Sequence, residues 1–289
     1  GPSKSSELLE ENIYSCLMIN SLIFHSNSEL LEGPVFDKEN NHLYFVSILD
    51  YLVYFYNPHT KEFLSIKLDS PVSCIYLHGN KKVLVASKNG FFEIDFNTLE
   101  KKFVFQLGID DLIRYNDGIK DAIGRIIIGT MGYPEVKKDV GKVFSYYKGE
   151  SKIIIDNTTI SNGLAFSLNN KYLYFIDTPT KKVAKYSYDL RTGELKFESY
   201  IIELIGTGSP DGMCIDNKGM LWIAEWGGGC ISQWNPINGL KLRELKLPCN
   251  NVTSCCFDNH SNLYVTTAKS ESKNDIYGGG LFYLELNKI

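Results

Sequence analysis

The sequence is poor in the features that mark several large protein classes. Lysine and arginine (30) do not outnumber aspartate and glutamate (34), and a formal net charge of −4 gives no electrostatic footprint for nucleic acid or an acidic membrane surface. No glycine-rich phosphate loop stands between a strand pattern and a helix pattern. The seven cysteines (Cys16, Cys74, Cys214, Cys230, Cys249, Cys255 and Cys256) are an odd set without a CxxC pair. That argues against a disulfide scaffold or a zinc cluster and fits reduced, packed thiols in a cytoplasmic protein. Long apolar runs are missing too. The stretch 13–24 follows two glutamates, contains Ser15, Asn20 and Ser21, and is too short to span a bilayer, so we expect a strand there. Gly1-Pro2 reads as a cloning scar, and 1–7 as a disordered start to a single domain filling 1–289.

What is present favours β-structure. Eighteen tyrosines, sixteen phenylalanines and abundant Ile, Leu and Val suit pleated, half-buried surfaces, while 24 glycines with many Asn and Asp supply turns. A strand, polar turn and apolar strand recur along the chain. The turn positions are Asp37, His78, Asp121, Ser167, Asp216 and Asp258, and the second strands begin at Leu43, Val83, Ile126, Leu173, Leu221 and Leu263. Intervals of roughly 40 to 48 residues match one four-stranded propeller blade. The expected fold is therefore an all-β, six-bladed β-propeller with four-stranded antiparallel blades, closed by pairing the N-terminal strand with the C-terminal strand at 281–286. In-phase turns at this spacing weigh against a sandwich.

The innermost strand of each blade starts beside the central channel, so equivalent positions should face one another there. Counting five residues back from each turn position gives Glu32, Ser73, Asn116, Asn162, Asp211 and Thr253, and every one carries an oxygen. Any one Asn or Asp is explained as a turn former, but six in register are not. Converging carboxylates repel one another and lose hydration, so they call for a cation. Two carboxylates and two amides form a hard shell for Ca²⁺, Mg²⁺ or Mn²⁺; Zn²⁺ is less suited, since no His or Cys lies in the ring. None of the five histidines falls in the ring, which weighs against a histidine-dependent hydrolase.

These residues also carry a family likeness. Glu32-Gly33-Pro34-Val35, Arg114-Tyr115-Asn116-Asp117-Gly118, Gly129-Thr130-Met131, Ser161-Asn162-Gly163-Leu164, Pro210-Asp211-Gly212-Met213 and Leu221-Trp222-Ile223-Ala224 resemble the regucalcin, gluconolactonase and luciferin-regenerating-enzyme family, over about Glu32 to Ala268. The resemblance implies one divalent metal held by Glu32, Asn162 and Asp211, with Arg114 and Asn116 facing substrate. Tyr133 and Glu135 are expected on a loop over the channel mouth, where sequence departs from the vertebrate pattern and substrate preference is set. The expected activity is opening of a small lactone, a sugar aldonolactone, by metal polarisation of the carbonyl. Either Asp211 acts as general base or a hydroxide on the cation attacks. Alternatives from the same residues are hydrolysis of another small ester or an organophosphate, and a non-catalytic calcium-binding scaffold.

Overall fold

The computed structural model describes residues 1–289. A helix, α1 (Lys4–Asn20), opens the chain and is followed by β1 (Leu22–His25). The expectation of a strand across 13–24 is met only at Leu22–Phe24: residues 13–20 are helical, and the helix begins at Lys4, inside the 1–7 start. Ser3 caps the helix, its hydroxyl accepting from the Ser6 amide at 3.3 Å. Tyr14 and Met18, four residues apart and so on one face, dock it: Met18 enters a core cluster and the Tyr14 hydroxyl donates to the Lys246 carbonyl at 2.9 Å. No helix is long and apolar enough to cross a membrane.

Twenty-three further strands follow. One sheet holds β2 (Leu31–Asp37), β3 (His42–Ser47), β4 (Leu52–Tyr56) and β5 (Phe63–Lys67). The second holds β6 (Val72–Leu77), β7 (Lys82–Ser87), β8 (Gly90–Asp95) and β9 (Glu100–Phe105). The third is formed by β10 (Ile113–Lys120), β11 (Ile126–Gly132), β12 (Gly141–Tyr147) and β13 (Glu150–Thr158). In the fourth are β14 (Ser161–Phe166), β15 (Tyr172–Asp177), β16 (Lys182–Tyr188) and β17 (Leu195–Glu203). The rest are β18 (Ser209–Ile215), β19 (Leu221–Trp226), β20 (Cys230–Trp234), β21 (Lys241–Lys246), β22 (Asn251–Phe257), β23 (Leu263–Ala268) and β24 (Gly280–Leu284).

The expectation of six separate four-stranded blades is not met. Four such sheets are present, but β18 to β24 and β1 form a single eight-stranded sheet. The joint is one pair, Trp226 opposite Asn251, between β19 and β22. Its cause is the turn Gly227-Gly228-Gly229. A Cβ at Gly229 would stand 2.8 Å from the Cys249 carbonyl oxygen, so only glycine allows this approach. The turn then bonds across: the Gly229 amide donates to the Asn250 carbonyl (2.9 Å) and the Gly227 amide to Asn251 Oδ1 (3.1 Å). The two ends of the chain meet in this sheet, where β1 pairs antiparallel with β24.

The sheets nevertheless stand radially. β2 packs against β6, β6 against β10, β10 against β14, β14 against β18, β18 against β22, and β22 returns to β2. Apolar clusters fill the wedges between neighbours: Tyr44, Phe55, Val83 and Phe96 join the first and second sheets, and Phe91, Tyr115 and Ile128 the second and third. Each inner strand carries one extra residue relative to its partner, a β-bulge. The register slips between Glu32 and Val35, Val72 and Cys74, Tyr115 and Gly118, Ser161 and Leu164, Pro210 and Met213, and Val252 and Ser254. Bulges re-aim side chains out of the ladder. All of them fall at the oxygen-bearing positions picked out by the repeat.

Candidate metal centre

The six ring residues are between 0% and 6% exposed. They do not all serve one purpose. Ser73 donates to the Tyr115 carbonyl at 2.5 Å and Thr253 to the Leu31 carbonyl at 2.5 Å, so each hydroxyl stitches its strand to the next inner strand. Their hydrogen is spent on structure.

The other four converge with Arg114 and a residue the repeat had not singled out, Asp117. The carboxyl groups of Glu32 and Asp211 adjoin at hydrogen-bonding range, and Asp117 lies close enough to repel both. Asn116 Nδ2 donates to the Ser161 carbonyl (2.9 Å) and to Asn162 Oδ1 (3.2 Å), which ties β10 to β14. Asn162 Nδ2 donates to Thr178 Oγ1 (2.8 Å), and that hydroxyl donates to the Pro210 carbonyl (2.8 Å). Thr178 thereby fixes the flip of the Asn162 amide so that its oxygen faces the centre. Arg114 Nη1 donates to Asn116 Oδ1 (2.9 Å) and to the Tyr115 carbonyl (3.0 Å).

Burial raises the Glu32 carboxyl well above the ordinary carboxylate range, and the neighbouring Asp211 and Asp117 charges raise it further. Asp211 is pushed up by burial first and by Asp117 next, while Glu32 and the Arg114 charge pull it back. Burial likewise raises Asp117, against the Gly118 amide, which donates to its Oδ1 at 2.8 Å. Arg114 is lowered to about 10 by burial, opposed by Glu32. The single charge of Arg114 cannot balance these three carboxylates, of which Glu32 and Asp211 are buried and Asp117 is half-buried at the cavity wall. Two buried atoms in this cluster have no hydrogen-bond partner: Asp211 Oδ1, an acceptor, and Arg114 Nε, a donor. Desolvated oxygen ligands in charge excess, with an orphaned carboxylate oxygen among them, fit a divalent cation of the oxygen-seeking kind.

On one side of the cluster, Tyr133 places its ring 5.9 Å from the Arg114 guanidinium carbon and adjoins Tyr51, whose backbone holds a left-handed φ of +61°. Glu135, from the same loop, is exposed and in no hydrogen bond with the centre. On the other side the channel widens into a cavity of ≈ 460 Å³, into which Asp117 and Ser73 look. Its walls are mainly apolar. There Cys214 and Cys255, from adjacent inner strands, bring their sulfurs to 3.4 Å. Apart from Asp117, which borders the cavity, the charged chemistry therefore sits at the Arg114 side of the channel.

The family model described as the SMP-30/Gluconolactonase/LRE-like region matches residues 30–269 of this chain. The chain belongs to this family. Among similar members, regucalcin of Xenopus laevis is 33% identical over 246 residues, covering 82% of this chain and 82% of that protein. A putative sugar lactone lactonase, YvrE of Bacillus subtilis, is 31% identical over 265 residues, covering 88% and 90%. A crystal structure of a calcium-binding protein, regucalcin from Agrobacterium tumefaciens, superposes with a TM-score of 0.85 at 25% identity, covering 91% of this chain and 92% of that one. The SMP-30/gluconolactonase match spans β2 to β23, the part of the chain that supplies every residue of the polar centre.

Repeat counting missed Asp117, Thr178 and Tyr51. Asp117 directly follows Asn116, and a bulge presents two consecutive residues to one side, which a fixed offset cannot register. Thr178 and Tyr51 lie in connections outside the repeated strand pair.

Proposed function

We propose that the chain is a metal-dependent hydrolase that opens small lactones, with sugar aldonolactones as the substrate class. The observation that carries the reading is the pair of orphaned buried atoms, Asp211 Oδ1 and Arg114 Nε, beside the buried carboxylate of Glu32 and the half-buried one of Asp117. Family membership supports the reaction type.

Glu32, Asn162 and Asp211 would hold the cation through their side-chain oxygens. The cation's contribution is Lewis-acid polarisation of the lactone carbonyl and stabilisation of the charge that develops on its oxygen. Arg114, anchored through Nη1, keeps Nε free to donate to a substrate hydroxyl or ring oxygen. Asn116 holds both Arg114 and Asn162, so it positions the substrate donor and the ligand together. The buried setting excludes bulk water and strengthens each of these contacts. Asp211 takes a proton from the attacking water as the new C–O bond forms, and returns it to the ring oxygen as the acyl C–O bond breaks. Lactone and water give one hydroxy acid, and the carboxylate is regenerated. Tyr133 and Tyr51 border the entry beside Arg114 and supply flat apolar surface for a sugar ring.

The test is proton release during ring opening of an aldonolactone by the chelator-stripped chain, before and after adding Ca²⁺, Mg²⁺, Mn²⁺ or Zn²⁺. Activity restored by a cation in the native chain and absent from Asp211→Asn is the expected result. Undiminished turnover in Asp211→Asn would refute the mechanism.

A further inference from the structure

A second group of potential ligands lies outside the channel. Glu225 ends β19, Cys230 begins β20, and Glu244 is on β21. Cys230 stands directly opposite Glu225, and Glu244 stands opposite Ser232, two residues from Cys230 and so on the same face of the sheet. Their ligand atoms all lie within 4.8 Å of one another. The Cys230 thiol donates to Glu244 Oε1 at 3.4 Å.

A second feature points to an absent partner. Glu225 is only 8% exposed, yet its Oε2 is buried with no hydrogen-bond partner. The surroundings leave room for this carboxylate: a Cβ on Gly208 would come to 2.5 Å from Glu225 Oε1, and one on Gly228 to 3.0 Å. Lys241 Nζ, 2.8 Å from Glu244 Oε1, serves that carboxylate and leaves Glu225 Oε2 unpaired.

We propose that Glu225, Cys230 and Glu244 form a second metal site, selective for a thiophilic divalent cation such as zinc or cadmium. The ligand set separates it from the channel. A thiolate with two carboxylates suits Zn²⁺ or Cd²⁺, whereas the all-oxygen centre suits hard cations. Charge closes as well: two carboxylates, a thiolate, Lys241 and a divalent cation sum to zero. Binding converts the Cys230 thiol to a thiolate and releases its proton to solvent. Water completes a tetrahedral shell on the side of the exposed Glu244. The bound cation would clamp three consecutive strands of the eight-stranded sheet.

Titration of the reduced, chelator-stripped full chain with Cd²⁺ tests this, read by thiolate-to-metal ultraviolet absorption and by proton release. An Asp211→Asn background removes the channel site from the count. The expected result is a saturable thiolate band at one equivalent with release of about one proton. Cys230→Ser should abolish the band, and the exposed change Glu244→Gln, which leaves the core untouched, should weaken binding about tenfold or more. Cys214→Ser should retain both. No thiolate band, or a band that survives Cys230→Ser and disappears in Cys214→Ser, overturns the proposal.

Discussion

Crowding three carboxylates together has a thermodynamic signature: the metal-free chain should lose stability as pH rises. In an unfolded chain Glu32, Asp117 and Asp211 ionise near pH ~4. In the folded chain burial holds their protons to higher pH, helped at Glu32 by the Asp211 and Asp117 charges and at Asp211 by the Asp117 charge, with Asp211 pushed up to about 8. Between those limits the native state binds more protons than the unfolded state, so the free energy of unfolding falls with increasing pH. The contribution is complete below pH ~4 and is lost as pH rises through the folded values. An uncompensated buried charge costs about 3 kcal/mol after relaxation, and a chain of this size shifts its Tm by about 2–4 °C per kcal/mol. We therefore expect Tm in chelator to drop by roughly 6–12 °C from pH 5 to pH 8. His42 works the other way, because burial lowers its pKa and makes protonation at low pH destabilising. The difference from Asp211→Asn isolates the carboxylates. That variant should show a flatter profile and a higher Tm than the wild-type apoprotein at pH 8. A divalent cation at a hundred times its Kd should restore about 2.7 kcal/mol to the wild type and little to the variant. Differential scanning calorimetry across pH, with and without cation, makes the comparison. A wild-type apo Tm that is flat or rises to pH 8, with Asp211→Asn tracking it, would show that the three groups are not held as described.

Three further outcomes follow from the same geometry. Arg114→Lys removes the planar fork that bonds Asn116 while offering Nε to substrate, and should lower kcat/KM about 10- to 100-fold with cation affinity little changed, as separate kinetic and calorimetric titrations would show. Asp121→Ala strands Arg125, whose guanidinium is 2.6 Å from Asp121 Oδ2 and only 6% exposed. It should cost about 3–5 kcal/mol in urea unfolding and leave kcat per folded molecule intact. Tyr133→Ala strips a ring from beside Arg114 and should raise KM while leaving the cation-induced Tm increase unchanged.

Much of the polar centre was legible because the turns keep strict register. Asp37, Asp121, Asp216 and Asp258 each accept two backbone amides within their own turn, such as those of Ile123 and Arg125 for Asp121 and those of Lys218 and Met220 for Asp216. A locked turn fixes the distance back to the channel, so a constant offset recovers Glu32, Asn162 and Asp211. The offset could not reveal Asp117, because a bulge alters the alternation of side chains. Nor could it tell that Ser73 and Thr253 spend their hydroxyls on neighbouring carbonyls, since serine and threonine look alike as ligands and as stitches. The apolar content of 13–24 concealed a helix: Tyr14 and Met18 carry its docking at a four-residue spacing, which a short apolar window also accommodates as a strand. The eight-stranded sheet was hidden in Gly227-Gly228-Gly229, whose lack of side chains lets a neighbouring backbone approach, something composition alone does not disclose.

The bulges in the inner strands bear on how such a scaffold can change. A residue at a slipped position contributes little to ladder pairing, so exchanging it leaves strand registers and the apolar wedges where they were. The polar centre is in this sense a set of sockets on β2, β10, β14 and β18, whereas Ser73 on β6 and Thr253 on β22 are tied into the surrounding architecture. Selection can then reshape ligand or substrate preference without renegotiating the architecture that surrounds it.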